Sequence, residues 1–223
     1  MPGIPSILCV MNTLIPRMIL IGLAASVSPV AVMVLISLMT AKHPRKNTLL
    51  FLLSYTLTLV AIGVVFVLLF HARSGASNHK ASGYIDIGIG VLCLLAIPLA
   101  ARKRKEKPAT EERGLTVTRT LTIGAGTMLV NTSTLLIYIT GLHAISDARL
   151  PFADDVVAFV ILTFATLLTL LIPIFIELAF PKASEKALTA LRVWLVKHQR
   201  IISVGILVIF ATYLLVKGIK SVV

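Results

Sequence analysis

The chain has 223 residues, 57% of them hydrophobic and only 13% charged, and its mean hydropathy is +0.99. A water-facing domain needs about a quarter charged residues to stay solvated, so composition excludes a soluble domain or a water-soluble enzyme. The net charge of +12 does not imply nucleic acid. The Lys and Arg residues lie between apolar runs, where they orient spans and meet anionic head groups, and no basic fold with interleaved aromatics is visible.

The expected fold is all-α and integral to the membrane, with about six spanning helices in one domain over residues 1–223. No Lys or Arg precedes Arg17, and no small-residue cleavage site leads into a soluble domain, so the first apolar run reads as a span, not a signal peptide. It extends over about Met18 to Met39, with Ser26, Ser28 and Pro29 near its middle. A basic turn follows, containing Lys42, Arg45 and Lys46. The second span is about Leu49 to Phe70, and the third, about Tyr84 to Ala101, carries Asp86 near its start. A basic linker over about 102–120 opens with Arg102, Lys103, Arg104 and Lys105.

The fourth span, about Leu121 to Ala144, holds a polar cluster of Asn131, Thr132, Ser133 and Thr134 at mid-depth. A short acidic loop carries Asp147, Asp154 and Asp155. The fifth span, about Val156 to Phe180, contains Pro173 and Glu177, and the sixth is about Ile201 to Val216. Between them, Ala187, Leu188, Leu191, Trp194, Leu195 and His198 share one helical face, while Lys186, Arg192, Lys197 and Arg200 lie toward the other. That pattern suits an amphipathic helix lying in the cytoplasmic interface with Trp194 at head-group level. The alternative is a helical extension of span six.

Positive charge sets orientation. The segments after spans one, three and five hold 15 of the 21 Lys and Arg residues, which places them in the cytoplasm and both termini outside. Arg17, Lys217 and Lys220 oppose this weakly.

Spans one and four look like counterparts. Gly22, Ala24 and Ala25 precede the Ser28-Pro29 break, and Gly124, Ala125 and Gly126 precede Asn131. Two three-span halves of opposite orientation follow, about 14–101 and about 121–223, as in transporters built from inverted repeats. Breaks in hydrocarbon survive where they are buried or line a hydrated cavity. The hydroxyls of Ser26 and Ser28 either cap freed backbone groups or hold a ligand. Asn131, Thr132 and Thr134 either line the pathway or bond neighbouring helices.

Asp86 is expected within one turn of the outer end, in reach of water, and Glu177 one turn from the cytoplasmic end, able to snorkel. Both are candidate coupling carboxylates. His143 is expected at the outer interface. The five histidines show no pair at ligand spacing on one helix, so no metal is expected. No phosphate loop or nucleophile elbow is present, so neither a cofactor nor an enzyme activity is expected. Cys9 precedes the first span and would be omitted if synthesis starts at Met11; Cys93 lies in the third span and reads as a small packing residue.

The stretch GLAASVSPVA at 22–31, with its basic turn at 42–46, resembles the opening of the lysine-exporter superfamily. The stretch ALRVWLVKH at 190–198 is similar to the corresponding helix of the peptidoglycolipid-addressing (sulfolipid-addressing) family. The resemblance covers nearly the whole chain in span order and loop length. It implies a six-span plasma-membrane protein that helps move lipid-linked molecules toward the cell envelope. On that reading Ser26, Ser28, Pro29, Asn131, Thr132 and Thr134 line the substrate pathway. Arg102 to Lys105, Arg192, Trp194 and Lys197 meet lipid head groups. The implied partners are membrane lipids, a larger lipid-export pump, and a second copy of the chain. Two other readings stay open: an exporter of small solutes or cations, and a scaffold that recruits a pump. The family places Asn-Pro in span four, whereas here Thr132 follows Asn131, so the second helix-breaking proline is missing.

Overall fold

A computed structural model describes residues 4–39, 43–71, 79–101, 116–148, 151–179 and 184–222. Among the described residues there are eight helices and no strand: α1 (Ile4–Ser26), α2 (Pro29–Met39), α3 (Pro44–His71), α4 (His79–Ala101), α5 (Val117–Val130), α6 (Thr132–Ala148), α7 (Phe152–Ala179) and α8 (Ser184–Val222). Backbone groups in hydrocarbon must be paired within the protein, and a helix does this locally.

Three of the described helical stretches are long and apolar enough to cross a membrane: Pro44–Val67, Phe152–Ile176 and Thr189–Ser221. The α1–α2 pair, bent by 61°, and the α5–α6 pair, bent by 70°, raise the number to five if each is one span. Tyr84–Pro98 of α4 is a shorter apolar stretch. Leu20, Leu57, Leu95, Phe164 and Ile209 all point outward, the reverse of what a water-soluble bundle would tolerate.

The first helix begins well before the expected Met18 and includes Cys9. The last differs more. The segment around Trp194 is not a separate interfacial helix but the first part of α8, which continues unbroken to Val222. With 39 residues it is about 58 Å long, nearly twice the hydrocarbon thickness of about 30 Å. No proline follows Pro181, and the first glycine after it is Gly205, so nothing in the sequence ends the helix before the apolar run.

The helices pack in pairs. α1 lies on α7, α3 on α5, and α4 on α8, while α2 contacts α8 and α6 contacts α4. A main core is built around Met18, Leu35, Phe51, Tyr55, Tyr138 and Leu162. A second, where α4 and α8 meet α6, contains Ile89, Cys93, Leu136, Leu207 and Leu214. Cys93 is fully buried there. Two close approaches depend on glycine. A Cβ at Gly22 would sit 2.5 Å from Ala165 Cβ and 2.9 Å from the Leu162 carbonyl oxygen of α7. One at Gly124 would sit 2.8 Å from the Phe51 carbonyl oxygen and 2.9 Å from Ser54 Cβ of α3. Small residues at such points let backbones approach, which is how helices gain contact in lipid.

Candidate functional site

The two helix breaks meet. In the first, α1 ends at Ser26 and the Ser28 N–H donates to the Ser26 carbonyl at 2.7 Å, the bond of a γ-turn about Val27. Pro29 then opens α2, where its missing N–H is no loss and its fixed φ suits the helix. Ser28 caps that helix: its Oγ accepts from the Ala31 N–H at 3.2 Å, and its carbonyl from Val32 at 3.1 Å.

The second break needs no proline. Asn131 has φ −83° and ψ 71°, so a single residue in inverse-γ geometry turns the chain. Its N–H still closes α5 onto Thr127 and Met128, while its carbonyl accepts the first bond of α6 from Leu135 at 3.0 Å. The absence of the family's second proline therefore leaves the pair of broken helices intact.

The side chains join the two breaks. Asn131 Nδ2 donates to Ser28 Oγ and, at 2.8 Å, to Thr134 Oγ1. Thr134 Oγ1 donates in turn to the Ala25 carbonyl at 3.0 Å, one of the acceptors at the end of α1. Ser133 Oγ donates to Asn131 Oδ1 at 3.2 Å. The Tyr55 hydroxyl from α3 hydrogen-bonds with Asn131 and Thr134. Ser26 Oγ shares a 2.7 Å bond with Thr169 of α7. Ser26, Ser28, Asn131, Ser133 and Thr134 are all buried, as is Pro29. Of the six residues expected along the pathway, five come together. Thr132 does not: it is exposed at the start of α6. Tyr55 and Thr169 were not singled out in the sequence; each is one hydroxyl among several on its helix.

A second polar cluster overturns two expectations. Asp86 is 1% exposed and His143 is 2% exposed, so neither lies open to water at an interface. Asp86 accepts from Lys217 Nζ through Oδ2, and its Oδ1 lies 3.5 Å from His143 Nε2. Asp147 completes the group, with Oδ2 at 3.9 Å from His143 Nε2 and 3.7 Å from Lys217 Nζ. Asp86, His143 and Asp147 offer ligand atoms within 4.8 Å of one another, a convergence across helices that spacing along one helix does not reveal. The Lys217 ammonium already supplies the cation that contacts both carboxylates.

Trp194 is about half exposed and stacks on His198 at a ring separation of 4.8 Å. Lys197 is exposed. Arg102, Lys103, Arg104 and Lys105 lie outside the described residues, and Glu177 and Arg192 lie in α7 and α8 with side chains outside the description.

Long apolar helices, an outward-facing apolar surface and buried polar joints define a helical membrane protein with two broken helices tied at their breaks. The sequence pattern of the family described as Sap, sulfolipid-1-addressing protein, matches residues 18–220. The chain belongs to that family. Comparison with curated proteins and with solved structures gives no match.

Proposed function

We propose that the chain is a six-span plasma-membrane exporter, or export accessory, for an acidic envelope lipid or glycolipid. The observation that carries this reading is the joint between Ser28 and Asn131. Two half-helices, α2 and α6, begin there, and their positive ends converge at one buried point. Discontinuous helices whose N-termini face an anionic group are the usual construction of transporter sites. A sulfolipid, the lipid class that the family description names, would bring an anionic group of matching charge.

The packing supports a two-fold arrangement of inverted halves. Exchanging α1–α4 with α5–α8 turns the α1–α7 contact into α5–α3, and α2–α8 into α6–α4. It also exchanges the glycine contact of Gly22 with that of Gly124. The α4 stretch serves as the third span, and the positive segments place both termini outside. Kinship with the lysine-exporter superfamily is part of the same proposal.

One observation favours a second reading. The groups at the joint are buried and bonded to one another, which also suits a scaffold that holds a lipid pump. Surface-extracted lipids of a deletion strain, complemented with wild type or Asn131→Ala at equal protein level, separate the two. Loss of one acidic lipid class, restored by wild type alone, is the expected result. Full restoration by Asn131→Ala would favour the scaffold, and an unchanged lipid profile in the deletion strain would refute export.

A further inference from the structure

The cluster of Asp86, His143, Asp147 and Lys217 has no part in the joint, yet it also spans the two halves. Asp86 belongs to α4 in the first half, and the other three to α6 and α8 in the second. Asp86 is almost completely buried, and burial penalises a carboxylate whose oxygens are not all hydrogen-bonded. Asp86 Oδ1 is buried without a hydrogen-bond partner, and His143 Nε2 lies 3.5 Å from it. A proton on Nε2 gives that oxygen its donor.

We infer that His143, held between Asp86 and Asp147, binds the proton that couples lipid movement to the transmembrane proton gradient. This rests on the export reading above. Histidine is the side chain suited to take up and release a proton near neutral pH. Ionisable groups inside membrane bundles commonly mark such relays. The cluster is not sealed inside the bundle: the side chains of Lys217 and Asp147 are 29% and 35% exposed. The other helices against α6 carry Arg17 on α1 and Asp154 and Asp155 on α7 toward the same end.

The step is a reversible protonation. Nε2 takes a proton from one side, and the same proton leaves to the other. With the proton bound, the half-one carboxylate is held to half two; once it leaves, the contact weakens and that end of the bundle can open. α6 transmits the change. His143 lies twelve residues beyond Asn131 on the same helix, a distance of about 18 Å.

The test uses the full chain in phosphatidylcholine–phosphatidylglycerol vesicles, with a fluorescent sulfated glycolipid as probe and its leaflet distribution read by a membrane-impermeant quencher. One proton per lipid makes the ratio between leaflets shift about tenfold for each pH unit of imposed gradient. In His143→Gln the ratio should no longer follow the gradient. Nitrogen NMR of the histidine rings, with His143 assigned from the same variant, supplies a second measure. Asp86→Asn should change the pH dependence of the His143 ring signals, because a neighbouring anion is lost. Translocation by the wild type that ignores the gradient overturns the inference and leaves export standing, as does a His143→Gln response equal to wild type. An unchanged pH dependence of the His143 signals in Asp86→Asn also overturns it. No translocation by the wild type overturns the export reading as well.

Discussion

Replacing Asn131 by Ala removes two donated hydrogen bonds, to Ser28 and Thr134, one accepted from Ser133, and the bond with the Tyr55 hydroxyl. In membrane proteins such bonds average about 0.6 kcal/mol and reach about 1.7 kcal/mol. Four of them give a loss of about 2.4 kcal/mol, with about 7 kcal/mol as the upper bound. Ser28→Ala removes the shared bond and the cap on Ala31, the cap alone contributing about 1 kcal/mol. The two single variants and the double variant, unfolded by SDS in mixed micelles and followed by helical circular dichroism, form a cycle that isolates the bond between the breaks. The expected coupling is about 0.6–1.7 kcal/mol. Additivity within about 0.3 kcal/mol would refute the claim that Asn131 joins the two halves, whatever each single variant costs.

Gly22→Ala and Gly124→Ala should each destabilise by about 1–3 kcal/mol through overpacking against a neighbouring backbone. Gly126→Ala and Gly205→Ala, whose added methyl groups meet nothing within 4 Å, should be neutral or gain up to about 1 kcal/mol; the same SDS titration ranks all four, and a neutral Gly124→Ala contradicts the packing. Lys217→Met leaves Asp86 buried without its cation and should cost about 3–5 kcal/mol. Adding Asp86→Leu should recover most of that loss, and a double variant as unstable as the single would show that the ion pair is not the cause. A cysteine at Ala190, in a chain otherwise free of cysteine, should react with an impermeant maleimide from the cytoplasmic side only. Labelling from outside would reverse the orientation drawn from the positive segments.

Much of this arrangement is legible in the residues because hydrocarbon punishes the same errors everywhere. The apolar runs and the Ser28-Pro29 break follow from composition and proline geometry alone. The polar cluster at 131–134 is visible too, but its partner is not, since Ser28 lies 103 residues away. The missing proline after Asn131 suggests a weaker break, yet one residue's ψ angle achieves the same turn. Asp86 misleads for a similar reason. Near the end of an apolar run a carboxylate reads as wet, and only folding brings Lys217 to it from 131 positions downstream. Lys217 in turn reads as an orienting charge. The segment before span six has a real amphipathic pattern, but pattern does not specify a hinge, and without a helix breaker the helix simply continues.

The reciprocal capping of the breaks bears on how the protein is made. When the first half enters the membrane, the Ala25 carbonyl at the end of α1 lacks the Thr134 hydroxyl that it accepts in the finished fold. Ser28 likewise lacks its Asn131 donor. The ribosome must add about a hundred more residues, including the basic linker, before those groups arrive. The early half is therefore an incomplete intermediate whose maturation is timed by synthesis of the later one, and separately expressed halves should reach their final shape only by finding each other in the bilayer.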